Sequence, residues 1–196
     1  MMADLTAFER EVEEFFHPLF PGEDKILVFG DGQCDQPPLM LIGEAPGEQE
    51  TIKRRPFVGK AGKNLDEFLQ LMGMKRDEIF VSNVVKIRPT AVGPTGRIRN
   101  RAPSKEEIAL FSPYLMKEIE LVKPRALVTL GNVPLKTLMG NVTIGDMHGK
   151  WHTACNGLPL FALYHPAAVI YRRELKEVYE QDVLRLRDSL TIQTQK

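Results

Sequence analysis

Cysteine is nearly absent from this sequence: Cys34 and Cys155 are the only two among 196 residues, far apart and without CxxC spacing. That excludes a disulfide framework and leaves no thiol cluster for a metal, so both read as reduced thiols. Long apolar runs are missing too, none approaching the ~18 to 20 residues that span a bilayer. The opening stretch MMADLTAFEREVEEFF is acidic and amphipathic, unlike a secretory signal. A cytoplasmic protein with no membrane partner is expected.

Net charge is also lacking, at +0, which excludes a uniformly basic nucleic-acid binder. The sum hides a segregation. Between Asp4 and Asp24 acids outnumber bases seven to one, whereas Ile79 to Lys105 holds Lys86, Arg88, Arg97, Arg99, Arg101 and Lys105 with no acid, and Thr51 to Leu65 holds five bases with none. Two basic loops on a neutral body point to a local anionic partner, against the plainer reading of solvated loops. Pro and Gly are too sparse for disorder, and the length suits one domain over 1–196: an N-terminal packing helix and connector (1–38) and a core (39–190).

What is present centres on Leu39 to Gly62, LMLIGEAPGEQETIKRRPFVGKAG. Leu39 to Ile42 reads as a buried strand that breaks into the tight turn Gly43–Gly47. A loop with Glu48, Glu50, Lys53, Arg54, Arg55 and Phe57 follows, closed by Gly59 and Gly62, where the backbone can approach a ligand closely. Such a loop can hold a small polar ring.

Before it, Leu5, Phe8, Val12, Phe15 and Phe16 fall at helical spacing over 4–16, and Lys25 to Phe29 is a short apolar run leading into the turn-rich GDGQCDQPP. After it, Leu65, Phe68, Leu69 and Met72 mark a helix that starts near Gly62 and stops at Gly73. Ile79 to Val85 is a β-branched strand with Asn83 inside it. An unsatisfied amide there costs roughly 1 to 3 kcal/mol, so Asn83 has either a backbone partner or a ligand.

KIRPTAVGPTGRIRNRAPS (86–104) is too long for an ordinary connection and reads as a functional loop. Ser104 and Glu107 form a capping box for one helix, and Ser112–Pro113 reads as the N-cap and first position of a second, ending before Pro124. Ala126 to Leu130 is a strand, Pro134 to Met139 a short helix, and Leu158 to Tyr164 the last strand, ending in His165–Pro166. His148 and His152 read as loop histidines. A helix from about Arg172 to Leu190 closes the chain, with Leu175, Val178, Leu186 and Leu190 facing inward.

Apolar strands alternating with helices predict an α/β fold, a three-layer αβα sandwich around a mostly parallel sheet of about four strands. Ligands bind such sheets outside the carboxyl ends of the strands, where Glu44, Asn83 and His165 converge.

GEAPG (43–47), RPFVGKAG (55–62), NVVKIRP (83–89) and YHPAA (164–168), in that order, resemble the uracil-DNA glycosylase superfamily, most of all its family-four type, over Leu39 to Leu186. The resemblance implies hydrolysis of the N-glycosidic bond of a flipped-out uracil in DNA, as in base excision repair. It implies that Phe57 stacks on the base, that Asn83 reads it, and that His165 donates to uracil O2 with help from backbone N–H groups near Glu44, at Ala45 and Gly47. Glu44 and Glu50 are both candidates for the carboxylate near the sugar, and Glu50 could instead exclude a thymine methyl. Lys60, Lys63, Arg88, Arg97, Arg99 and Arg101 are candidate phosphate contacts, and Ile170 a candidate wedge into the vacated base stack.

Family-four enzymes hold an iron–sulfur cluster on cysteines: an N-terminal pair, one after the Asn strand and one in the next helix. Here the last two positions correspond to Ile87 and Phe111, and the pair is missing. No cluster and no other cofactor are therefore expected, with apolar packing in its place. The partner is expected to be uracil-containing DNA, single- or double-stranded, and the protein a monomer. The alternative is a non-catalytic module that binds nucleic acid or a nucleobase and has kept only the fold.

Overall fold

In the computed structural model, which describes residues 2–20, 25–172 and 174–193, strands and helices alternate as the apolar runs require. The strands are β1 (Asp31–Gly32), β2 (Met40–Gly43), β3 (Phe80–Asn83), β4 (Thr90–Val92), β5 (Ile98–Asn100), β6 (Leu127–Leu130), β7 (Trp151–Thr153) and β8 (Pro159–Leu163). The helices are α1 (Met2–Phe16), α2 (Glu48–Lys53), α3 (Lys60–Met72), α4 (Lys105–Val122), α5 (Asn132–Met139), α6 (Ile144–Met147), α7 (Pro166–Tyr171) and α8 (Leu175–Gln193).

The central sheet has the order β1-β3-β2-β6-β8-β7. Its four inner strands are parallel, and β1 and β7 close the two edges antiparallel to β3 and β8. The sheet is thus six strands wide rather than about four, because edge strands of two and three residues carry no apolar run to read. Strand order reverses at β2, with β3 on one side and β6 on the other, which puts the ligand-binding crevice of a doubly wound sheet at its carboxyl end.

Side chains alternate across the strands and fill two cores. Met40, Ile42, Phe80 and Leu127 pack with α1, α4 and α5 through Phe8, Val12, Phe111, Leu115, Ile119 and Leu135. Leu39, Leu41, Val81 and Val128 pack with α3 and α8 through Leu65, Phe68, Tyr179, Val183 and Leu186. Helices on both faces make the three-layer αβα sandwich.

Three local expectations change. The segment after β2 contains a helix, α2, whose first turn is closed by Glu50 reaching back to the Gly47 N–H, 3.1 Å. The predicted break at Ser112–Pro113 is absent: α4 runs straight through Pro113. Its capping box holds as read, with Ser104 N–H donating to Glu107 at 2.7 Å and Glu107 N–H to Ser104 Oγ at 3.2 Å. Burial of Phe111, Leu115, Ile119 and Val122 on both sides of the proline outweighs its lost hydrogen bond. Finally, the long 86–104 segment is not structureless, since β4 and β5 pair as a separate two-stranded ribbon.

Candidate active site

The site is built at the carboxyl ends of β2, β3 and β8. Gly43 ends β2 opposite Asn83, which ends β3. A Cβ at Gly43 would lie 2.5 Å from Asn83 Oδ1 and 2.5 Å from Phe57 Cζ, so only glycine lets the amide and the ring meet over the strand end. Asn83 is 3% exposed, and its side-chain amide has no hydrogen-bond partner among the described residues. Its backbone is held, the carbonyl accepting from Lys86 Nζ at 2.9 Å.

Phe57 is 5% exposed, and its φ of 52° lies in the left-handed region, which a bulky residue adopts only when its surroundings enforce it. The Arg76 guanidinium donates to the Phe57 carbonyl, and Gly62 packs so closely that a Cβ there would fall 2.0 Å from the same oxygen. The ring faces His165, with centroids 6.3 Å apart and planes 28° from parallel.

His165 follows β8 as the N-cap of α7. Its Nδ1 accepts from Ala167 N–H at 3.1 Å. A nitrogen that accepts carries no proton, so the neutral ring bears its hydrogen on Nε2 and can donate it. Burial pushes the imidazole down to about 4. Asn64 of α3 donates to the Pro166 carbonyl at 2.9 Å and ties this turn to the first turns of α3.

The two candidate glutamates differ sharply. Glu50 is buried, with Oε1 accepting from Val58 N–H at 3.0 Å and Gly59 N–H at 2.7 Å, and Oε2 from Gly47 N–H. Both of its oxygens are engaged in folding the loop, and so is the Gly47 N–H expected to face substrate. Glu44 is half-buried, its carboxylate has no partner among the described residues, and desolvation raises its pKa above the ordinary carboxylate value. The Ala45 N–H likewise has no partner among the described residues.

The candidate phosphate contacts also divide. Lys60 and Lys63 are exposed at the start of α3. Arg97 and Arg99 are exposed and have no carboxylate partner among the described residues. Arg88 donates to Glu48 at 3.2 Å and Asn100 at 2.7 Å, and Arg101 makes a bidentate pair with Glu107 at 2.6 and 2.8 Å, so both serve the protein's own structure. Lys86, counted with the basic loop, is fully buried against Ser82 and Glu118, each 2.6 Å away. Ile170 falls in α7, and its side chain lies outside the described residues. Of the two histidines expected in loops, His148 follows α6, its Nδ1 paired with buried Asp182 at 2.6 Å, whereas His152 lies in β7, its Nε2 bonded to the Met147 carbonyl at 2.8 Å, so both are structural.

Sequence reasoning missed Arg76, Asn64 and the Lys86–Glu118 pair. Only Lys86 carried a signal, standing three residues after Asn83 in an otherwise apolar stretch.

Comparison with known proteins bears on what this arrangement does. The family model described as the uracil DNA glycosylase superfamily matches residues 29–186. The chain is 35% identical over 176 residues to the type-4 uracil-DNA glycosylase of Saccharolobus solfataricus, covering 85% of this chain and 77% of that protein. It is 37% identical over 167 residues to the type-4 uracil-DNA glycosylase of Pyrobaculum aerophilum, covering 81% of each. Among solved structures, that of wild-type SMUG2 from Pedobacter heparinus superposes with a TM-score of 0.56 at 11% identity, over 82% of this chain and 77% of that one, a likeness of fold.

Proposed function

The chain belongs to the uracil-DNA glycosylase superfamily, and from that premise we propose that it is a DNA N-glycosylase that hydrolyses the bond between uracil and deoxyribose. The observation that carries this reading is the Asn83 amide, in a residue only 3% exposed, set between Phe57 and the end of β2 and without a hydrogen-bond partner among the described residues. An unpaired buried amide is costly, and a base edge supplies what it lacks. Its N–H matches uracil O4 and its carbonyl matches N3–H, while Phe57 presents a face for stacking.

Cleavage leaves positive charge on the sugar and negative charge on uracil O2. The His165 Nε2–H, its tautomer set by the Ala167 contact, would donate to that oxygen, with the Ala45 N–H, unpartnered among the described residues, as second donor. A neutral imidazole suffices, and burial keeps it neutral. Of the two glutamates, Glu44 is the carboxylate free to face the sugar and orient water, since Glu50 is engaged in the loop. Lys60, Lys63, Arg97 and Arg99 would take phosphates, and Ile170 remains our candidate wedge.

The donor set does not fit an iron–sulfur cluster. Ile87 and Phe111 are hydrocarbons buried in one core, and Phe16 stacks on Phe111 with centroids 4.1 Å apart. We read the enzyme as cofactor-free, a single domain and a monomer, since one chain supplies every group named. Its free cysteines suit the reducing cytoplasm, and among the described residues no helix is long and apolar enough to cross a membrane.

The test is release of uracil from oligonucleotides, scored as alkali-labile sites. We expect activity in the wild type and a loss of at least about a hundredfold in N83A and H165A. No product on paired or single-stranded uracil, with DNA binding retained, would leave a non-catalytic module instead.

A further inference from the structure

Of the segments that flank the site, the β4–β5 ribbon stands outside both cores. Its opposed pairs are Thr90 with Asn100, Ala91 with Arg99 and Val92 with Ile98. Alternation puts Val92, Ile98, Thr90 and Asn100 on one face and Arg99 on the other. Val92 is 72% exposed and Ile98 66%, an apolar cross-strand pair held out in water near the tip.

The base of the ribbon is fastened. Arg101 bridges the Thr90 carbonyl, 3.0 Å, and the Glu107 carboxylate, while Arg88 bridges Asn100 and Glu48. The apolar face is oriented as well, since Asn100 on that face lies with its Nδ2 3.4 Å from where a Gly47 Cβ would be. Gly47 belongs to the loop that walls the base site. Beyond the fastened base, Arg97 and Arg99 carry charge that no carboxylate among the described residues offsets.

We propose that this ribbon is a second DNA-docking element, one that grips duplex DNA beside the extruded nucleotide. Val92 and Ile98 pack as an apolar wedge against base steps or sugars, and Arg97 and Arg99 meet phosphates. The occupant is duplex rather than single-stranded DNA for a chemical reason. Single strands are held by stacking bases on aromatic faces, and the ribbon from Thr90 to Asn100 has no aromatic residue. Branched hydrocarbons gain by leaving water, and a duplex offers them a preformed stack and sugar edges to bury against. The proposal rests on the glycosylase reading and adds to it a selectivity for duplex substrate.

The test compares single-turnover uracil release from a duplex and from the same strand unpaired, in wild type, V92T/I98T and R97Q/R99Q. Threonine keeps the branched shape that suits a strand while making the tip polar. The expected result for V92T/I98T is a fall of about tenfold on duplex and less than about twofold on single strand. R97Q/R99Q is expected to flatten the dependence of duplex binding on log salt by about two units. An unchanged duplex-to-single-strand ratio in V92T/I98T overturns the proposal, as does an equal loss on both substrates. Should wild type release uracil from neither, the glycosylase reading fails separately. Duplex affinity then decides, a weaker V92T/I98T supporting the docking element and an unchanged one overturning it.

Discussion

At His165 one hydrogen bond and burial together set the chemistry. Nδ1 accepts from Ala167 N–H, which leaves the ring proton on Nε2, and burial lowers the pKa of the imidazole from 6.5 to about 4. Between those values the unfolded chain binds a proton that the folded chain refuses, so stability rises with pH across that window and falls as pH drops through it. Chemical denaturation of wild type and H165Q between those two pH values should show the acid loss in wild type and a shallower one in the variant. Uracil release should stay flat through the ordinary histidine range, with an acid limb set by Glu44, whose pKa burial raises. A rate that halves as pH rises through the ordinary histidine value would mean that the cation is the donor, contrary to the geometry. The positions of Asn83 and His165 at strand ends were legible because each closes an apolar run, while the roles expected of them came from the family resemblance. The sequence left Glu44 and Glu50 unresolved because the partners of Glu50 are backbone N–H groups as far as nine residues away, a contact that side-chain patterning cannot reveal.

At the scale of elements, strands and long helices were legible where apolar residues repeat, and short elements were not. β1 is two residues long, and β4 and β5 lie in a segment of glycines, prolines and arginines whose pairing comes from a turn rather than from burial. Proline misled at α4, where packing overrides the local break. The junction of β3 with α4 depends on a buried ion pair that the sequence hid inside a basic stretch. Lys86 Nζ touches Ser82 Oγ, the Asn83 carbonyl and Glu118 Oε2, and Ser82 Oγ donates to the same carboxylate oxygen at 2.7 Å. K86M leaves the Glu118 carboxylate buried without its counter-ion, and equilibrium unfolding should show a loss of about 3 to 5 kcal/mol. K86M/E118L, which removes both charges, should regain much of that stability. Because the ammonium also fixes the Asn83 carbonyl, the double variant should still release uracil less efficiently than wild type, the defect falling on KM more than on kcat. Full activity in a stable K86M/E118L would show the pair to be structural only.

For the whole molecule, the question is what holds α1 and the 86–104 segment against the sheet. Phe16 stacks on Phe111 at 6° between planes and also lies edge-on to Phe15 and Tyr114, while Ile87 is buried in the same core. One apolar cluster thus joins α1, α4 and the chain leaving β3. Burying hydrocarbon here supplies a stabilisation that falls as cavity volume grows. F111A should therefore cost about 3 to 5 kcal/mol in equilibrium unfolding. At a temperature where the variant remains folded, its uracil release should approach that of wild type, because Phe111 lies in the other core from Phe57. Wild type prepared with a strong iron chelator should keep both its unfolding midpoint and its activity, and its metal analysis should return no stoichiometric iron. Iron at cluster stoichiometry, or a midpoint that collapses on chelation, would overturn the packing account and require thiolate ligands that Ile87 and Phe111 cannot supply.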